Sequence, residues 1–354
     1  MSGALPNGSF SELYPEWKEA SVSDHELRRR DFDPILHGIS REKYESLDSY
    51  VERFDETYRC GTPVKEVFYN CFEIYHRLGG SGAGRWFPVY EDNLRKWGEM
   101  KPDSSAPYLA LVGLVESRGW FSRGEDVSST VSEEGWKEFE KELNRAWMLL
   151  DEAPDFVKED VHYWYQRLSL GLGRGIPYDE MLTYFREGQK RDPHYLPLYQ
   201  QMAWYLQPRW YGETPFDWHD FLVEAIDFDG LSEEDKTMVY GIIVRFGVKC
   251  MDEYQYDPQK VFKDTGIDVP RFLDGLAIYV KRYPESSQWP IHYLYHAQKA
   301  EDPERMKDAI QLSERTYDPY NYDPESMLSL FEKAVEQFPE LAGPLGRSSK
   351  IPAQ

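Results

Sequence analysis

The chain has 354 residues, of which 41% are hydrophobic, enough to bury a sizeable core in one elongated helical array or in two domains. Its 63 acidic and 41 basic residues give a net charge of -22, and a field of that sign repels phosphate backbones and anionic lipid, which argues against nucleic-acid and membrane partners. The three cysteines, Cys60, Cys71 and Cys250, form no CxxC pair and are odd in number, which suits packing in a reducing compartment rather than a disulfide framework.

Residues 1–38 read as a loosely ordered arm. Pro6, Asn7 and Gly8 stand where a signal peptide would need an apolar run, and no stretch approaches the ~20 apolar residues of a membrane span. A cytoplasmic location is expected. Residues 39–340 read as a single helical array. Leu47, Tyr50, Val51, Phe54 and Tyr58 share one helical face, and Thr62-Pro63 reads as a helix start. Gly119 to Thr130 reads as a long Gly/Ser loop. Ser132 then caps a helix whose apolar stripe is Trp136, Phe139, Leu143, Ala146, Trp147 and Leu150.

Val161, Trp164, Tyr165, Leu168 and Leu172 form the next stripe, stopped by Gly173 to Gly175. Thr214-Pro215, with Asp217 three residues on, reads as a start for the stripe Trp218, Phe221, Leu222, Ala225 and Ile226. Later stripes are Phe272 to Tyr283 and Leu328 to Phe338. Residues 341–354, with Gly343, Pro344 and Gly346, read as a flexible tail. On the order of a dozen helices joined by short turns must pack as antiparallel hairpins. Proline recurs at the turns: Lys101-Pro102-Asp103-Ser104-Ser105, Asp192-Pro193 and Tyr283-Pro284-Glu285-Ser286-Ser287. A tetratricopeptide (TPR) array ends its hairpins in this way, but no window matches that consensus in full.

The order of these motifs is similar to that of a known family. Lys101-Pro102-Asp103-Ser104 leads to Ser117-Arg118-Gly119-Trp120, then to Val131-Ser132-Glu133-Glu134-Gly135-Trp136, and later to Leu206-Gln207-Pro208-Arg209-Trp210-Tyr211-Gly212. From about Phe32 to Tyr317 the chain resembles an uncharacterised, mainly bacterial family of TPR-like helical proteins, a domain of unknown function with a Pro-Arg-Trp-x-Gly turn. The resemblance implies the fold and no activity. Gln207 and Tyr211 depart from the family pattern, which predicts a wider turn around Trp210.

Candidate chemistry is sparse. Gly79-Gly80-Ser81-Gly82-Ala83-Gly84-Arg85 looks like a phosphate loop but lacks the Gly-Lys-Ser/Thr ending, and a link between helices explains it better. His292 and His296 are spaced to share a metal, yet no third ligand and no metalloprotease glutamate accompany them, so they read as structural. Arg118, Trp120, Arg209 and Trp210 are different. They read as lying at turns rather than on core stripes, and arginine and tryptophan there are frequent binding residues.

The expected fold is thus all-α, an irregular TPR-like superhelix of helical hairpins resembling an α-solenoid. The expected function is a non-catalytic module binding a protein or peptide on a concave face, with Arg118, Trp120, Arg209 and Trp210 at the recognition region. The acidic surface fits a basic partner. No catalytic residue, metal or cofactor is expected. The alternative is a helical (α/α) hydrolase, such as a carbohydrate-active enzyme with paired carboxylates.

Overall fold

The computed structural model describes residues 9–20, 34–56, 61–73, 86–124, 128–252, 258–264, 266–318 and 321–347. The 3-and-4 periodicity of the sequence becomes an all-α fold. In chain order the elements are α1 (Phe10–Leu13), β1 (Lys18–Glu19), α2 (34–40), α3 (Tyr44–Val51), α4 (Val64–Glu73), α5 (Phe87–Met100), α6 (Ser105–Arg123), α7 (Glu133–Asp151) and α8 (Val161–Arg174). They continue with α9 (Tyr178–Arg191), α10 (Leu196–Tyr205), α11 (Asp217–Ala225), α12 (Glu233–Asp252), α13 (Pro258–Asp264), α14 (Val269–Arg282), α15 (Trp289–Lys299), α16 (Pro303–Leu312), β2 (Thr316–Tyr317) and α17 (Pro324–Gln337). The glycine-rich stretch 79–85 and Cys60 lie outside the described residues. Cys71 and Cys250 are buried. No described helix is long and apolar enough to cross a membrane.

Where the sequence reads as one array over 39–340, contacts divide the chain into two compact units. An upstream unit spans 30–57 and 62–231, and a terminal unit holds both chain ends, 1–29 and 232–354, with 58–61. In the upstream unit consecutive helices pack as hairpins, α5 on α6, α6 on α7 and α8 on α9, with α4 laid on α6 and α10 on α8. The proline turns make these hairpins. A residue before proline is pushed out of the α region, and Lys101 accordingly ends α5 at φ -129°, ψ 62°. Ser104 then caps α6, its hydroxyl accepting from the Ala106 amide. In the terminal unit Tyr283 ends α14 at φ -127°, ψ 65°, nearly the same geometry.

One glycine reading changes and a second is narrowed. The reading of Gly119 as the end of a helix fails, because α6 continues to Arg123 and the break begins at Gly124, φ 82°. Gly119 is a packing glycine: a Cβ there would meet Leu143 Cδ1 at 2.8 Å, so its absence lets α6 and α7 touch. Within the expected stop at Gly173 to Gly175, α8 runs through Gly171 and Gly173 and ends at Gly175, which is left-handed (φ 69°) and donates to the Leu172 carbonyl. Ser132 caps α7 as expected, accepting from Gly135 N. Helix α11 begins at Asp217 rather than beside Thr214, and the Asp217 carboxylate takes the Glu213 and Thr214 amides at 2.6 and 3.0 Å.

In the terminal unit α12 and α14 cross with backbones in contact. A Cβ on Gly275 would meet the Thr237 carbonyl oxygen at 2.2 Å, and one on Gly241 would meet Gly275 Cα at 2.7 Å. Residues 9–20, placed by the sequence in a loose arm, pack here. Phe10, Tyr14 and Trp17 are buried around Phe331 of α17, with ring centroids 4.6 to 5.5 Å away. β1 pairs in parallel with β2. The start of the expected flexible tail is packed too, since Trp17 Nε1 donates to the Leu345 carbonyl at 2.9 Å and Arg347 clasps Glu332. Aromatic burial on this scale outweighs the entropy of ordering the segment. Replacing Trp17 with alanine should therefore lower the unfolding free energy by about 3 kcal/mol in urea titration, as for large-to-small aromatic changes. A change below about 0.5 kcal/mol, the size expected of a surface substitution, would contradict this packing.

Candidate functional site

The last turns of α6 supply the first half of the site. Because α6 is helical through this stretch, Arg118 and Trp120 are two residues apart on a helix and face different ways. Arg118 points to the ion network of α5 and α7, 3.5 Å from Glu142 and 4.0 Å from Glu91. Trp120 points toward α8, where Gly173 makes room. A Cβ at Gly173 would meet Trp120 Cζ2 at 3.3 Å and Leu143 Cδ2 at 2.5 Å. Trp120 also packs edge-on against Phe139 at 4.7 Å.

The turn after α10 supplies the second half. The Gln207 carbonyl accepts from the amides of Trp210 (2.8 Å) and Gly212 (3.2 Å), and Tyr205 O accepts from Tyr211 N. Gly212 is required, because a Cβ would lie 2.1 Å from the Leu206 carbonyl oxygen. Instead of widening the turn, Tyr211 closes it by stacking on Tyr205 at 4.8 Å and donating its hydroxyl proton to Leu172 O at 3.1 Å.

This turn brings Trp210 edge-to-face with Trp120, ring centroids 6.1 Å apart. Both rings are half-buried. Trp204 lies 6.4 Å from Trp210. Two guanidinium groups lie over the cluster. Arg209, exposed, is 4.8 Å from Trp204 and 5.5 Å from Trp210, while Arg123 is 5.7 Å from Trp120 and 5.2 Å from Trp136. Burial and then the charge of Arg209 hold the Arg123 guanidinium below its ordinary pKa, so two like charges converge on one aromatic surface. The Trp210 indole N–H is buried with no acceptor among the described residues. Three of the four residues singled out from the sequence thus meet, Arg118 stands apart, and Arg123, Trp136 and Trp204 join them.

Beneath Trp120 lies a buried polar network that the sequence reading missed. Glu116 ends an apolar run, Leu109 to Val115, and is 4% exposed. Its Oε1 accepts from Ser169 Oγ at 2.6 Å and from Trp120 Nε1 at 3.3 Å. Burial raises its pKa to about 8, reinforced by the neighbouring Glu73 charge, so the carboxyl is largely protonated at neutral pH. Glu73, from the end of α4, accepts from His162 Nε2 at 2.7 Å and from Gln166 Nε2 at 3.3 Å. With the ring proton on Nε2, His162 Nδ1 accepts from the Tyr195 hydroxyl at 2.8 Å. The ring is sandwiched by Tyr69 at 3.8 Å and Tyr165 at 5.0 Å. Asp160 fixes its height. Asp160 caps α8, accepting from His162 N at 3.0 Å and from Ser105 Oγ at 2.8 Å. Burial, then the charges of Glu73, Glu116 and Glu66, push the Tyr165 phenol well up.

Among the described residues no three His, Cys, Asp or Glu side chains are grouped to hold a metal ion. The sequence matches no protein-family model, and no curated protein is significantly similar to it.

A carboxyl held neutral by burial carries a pH signature. Glu116 binds a proton in the folded state up to about pH 8 but only up to about 4.5 when unfolded, so its contribution to stability is fully present below about 4.5 and is lost as pH rises through 8. Glu116→Gln, a permanently neutral isostere, should leave the Tm near wild type at about pH 5 and raise it relative to wild type by about pH 9. Parallel Tm–pH curves for the two proteins would show that Glu116 is not held neutral.

Proposed function

We propose that the upstream unit is a non-catalytic peptide-binding module whose recognition surface is the tryptophan cluster of Trp120, Trp204 and Trp210 with Arg123 and Arg209. The observation that carries this reading is the edge-to-face contact of Trp120 with Trp210, beneath two converging guanidinium groups. A half-exposed aromatic pair offers large contact area at low entropy cost. Two arginines set close together favour a carboxylate that can bridge them. Their charge moves the expected partner from a basic peptide to one presenting a carboxylate, from a side chain or a C-terminus, next to an aromatic or aliphatic residue. The net charge of -22 belongs to the whole chain and does not describe this patch.

A second reading, a helical hydrolase, is favoured by one observation. Glu116, protonated at neutral pH, neighbours Glu73, and a protonated carboxyl beside a second carboxyl is a pairing that general acid and base catalysis can use. In that reading Glu116 donates a proton and Glu73 accepts one, with Trp120 as a wall for a sugar ring.

Fluorescence titration with paired peptides, identical except for a C-terminal carboxylate or carboxamide after a phenylalanine, separates the two. The binding reading expects the carboxylate form to bind and Arg209→Ala to weaken it at least about tenfold, the scale of an interface hot spot. Because Arg209 is exposed, its variant should keep the wild-type Tm. Equal binding of both forms, or an Arg209→Ala protein that binds normally, would refute it. Turnover of aryl glycosides abolished by Glu116→Gln and by Glu73→Gln would establish the hydrolase instead.

A further inference from the structure

The terminal unit holds a second cluster, of opposite character to the acidic chain around it. Arg245 of α12 lies one helical turn after Gly241, the residue at which α12 meets α14, and so faces into the unit. Its Nη2 donates to His292 Nε2 of α15 at 2.7 Å, and its guanidinium stacks on Trp289 at 4.8 Å. Gln288 Nε2 lies 2.7 Å from the same histidine nitrogen. Since arginine can only donate, Nε2 is the acceptor and His292 carries its proton on Nδ1. That proton goes to the Tyr322 hydroxyl oxygen at 2.6 Å. The Tyr322 O–H proton is then left pointing away from the histidine.

No carboxylate is paired with Arg245 among the described residues, and its Nε is buried without an acceptor. His296, 5% exposed, has its Nδ1 buried and equally unpartnered. Lys249, one turn after Arg245, and Lys299, one turn after His296, add positive charge felt at His292 and His296 respectively. Burial and then Arg245 lower His292 well below its ordinary pKa and His296 to about 3, so both rings are neutral and the buried net charge is that of Arg245. Burying a guanidinium whose Nε–H has no acceptor is costly unless an anion compensates it. Arg245, Gln288, Trp289 and Tyr322 each retain part of their surface, so the cluster borders solvent.

We propose that Arg245, Tyr322 and the Arg245-oriented His292 form a binding site for the carboxylate of a small organic acid. The planar guanidinium fork supplies two parallel donors, the Tyr322 hydroxyl a third, and Trp289 covers one face of Arg245. One buried positive charge matches one carboxylate, whereas a phosphate dianion would bring an uncompensated charge into a strongly acidic chain. The site is independent of the tryptophan cluster, which belongs to the other unit.

Thermal unfolding and calorimetry with sodium acetate, succinate, benzoate and phosphate at fixed ionic strength test this. At least one carboxylate should raise the Tm saturably as ligand concentration passes its Kd, as mass action requires. Arg245→Gln should abolish that shift, and should itself unfold at or above the wild-type Tm without ligand, because an unpaired buried charge has been removed. Tyr322→Phe, which keeps the ring and loses the donor, should raise Kd about tenfold. A saturable response to phosphate alone would overturn the carboxylate assignment. No saturable response to any of the four, or a carboxylate response that survives Arg245→Gln, would overturn the site itself.

Discussion

The upstream site depends on one close approach, that of α8 to α6 and α7 at Gly173. Without a side chain there, Leu143 and the edge of Trp120 fill the space a Cβ would occupy. Trp120 can then lie flat enough to receive Trp210, and the turn carrying Trp210 is itself tied to α8 through the Tyr211 hydroxyl on Leu172 O. Any larger residue at 173 would displace the Leu143 side chain and crowd the edge of Trp120. Interiors are packed too densely for the neighbours to absorb even a methyl at 2.5 Å without a shift.

The same approach closes the polar network beneath. Glu73, Glu116, His162, Gln166 and Tyr195 come from α4, α6, α8 and the start of α10, and most of their polar atoms find partners only with those helices in register. Gln166 ties α8 to α6 through the Leu109 carbonyl at 2.8 Å while reaching Glu73 on α4. Such a network stabilises little in net terms, since each group has left water to join it. It penalises every alternative register heavily, because a misplaced helix would strand a buried carboxyl or imidazole. Its link to the surface is Trp120, whose indole N–H donates to Glu116 and whose ring meets Trp210. A change at the tryptophan pair therefore bears on a carboxyl whose proton is held by burial.

Much of the architecture is legible in the sequence because it is local. Amphipathic stripes, the Ser132 cap and the proline turns each depend on residues within a few positions, and they specify helices and their hairpins. Glycine is where local reading fails. Gly119 and Gly173 look like stops, but both are contact points inside helices, and only the partner Leu143 reveals it. Read as a stop, Gly119 puts Arg118 at a turn beside Trp120, whereas helical geometry sends the two apart. The tryptophans at 120 and 210 were visible as candidates. Their contact was not, since it joins segments about 90 residues apart through a third helix. The acid network had one faint signal, a single glutamate closing the apolar run that leads to Glu116. His162 and Tyr195 gave none, because a histidine on an apolar stripe is as often a packed ring as a functional one.

The central claim is that Trp120 and Trp210 form one recognition surface, and the indole N–H signals of the 11 tryptophans report on it directly. In a two-dimensional ¹H–¹⁵N spectrum assigned by single Trp→Phe substitutions, a Phe-terminated peptide with a free carboxylate should be added stepwise. The account predicts saturable shifts with one common Kd for Trp120, Trp204 and Trp210, while Trp17, Trp97 and Trp218 stay in place. Shifts spread over all tryptophans, or confined to residues outside the cluster, would contradict it.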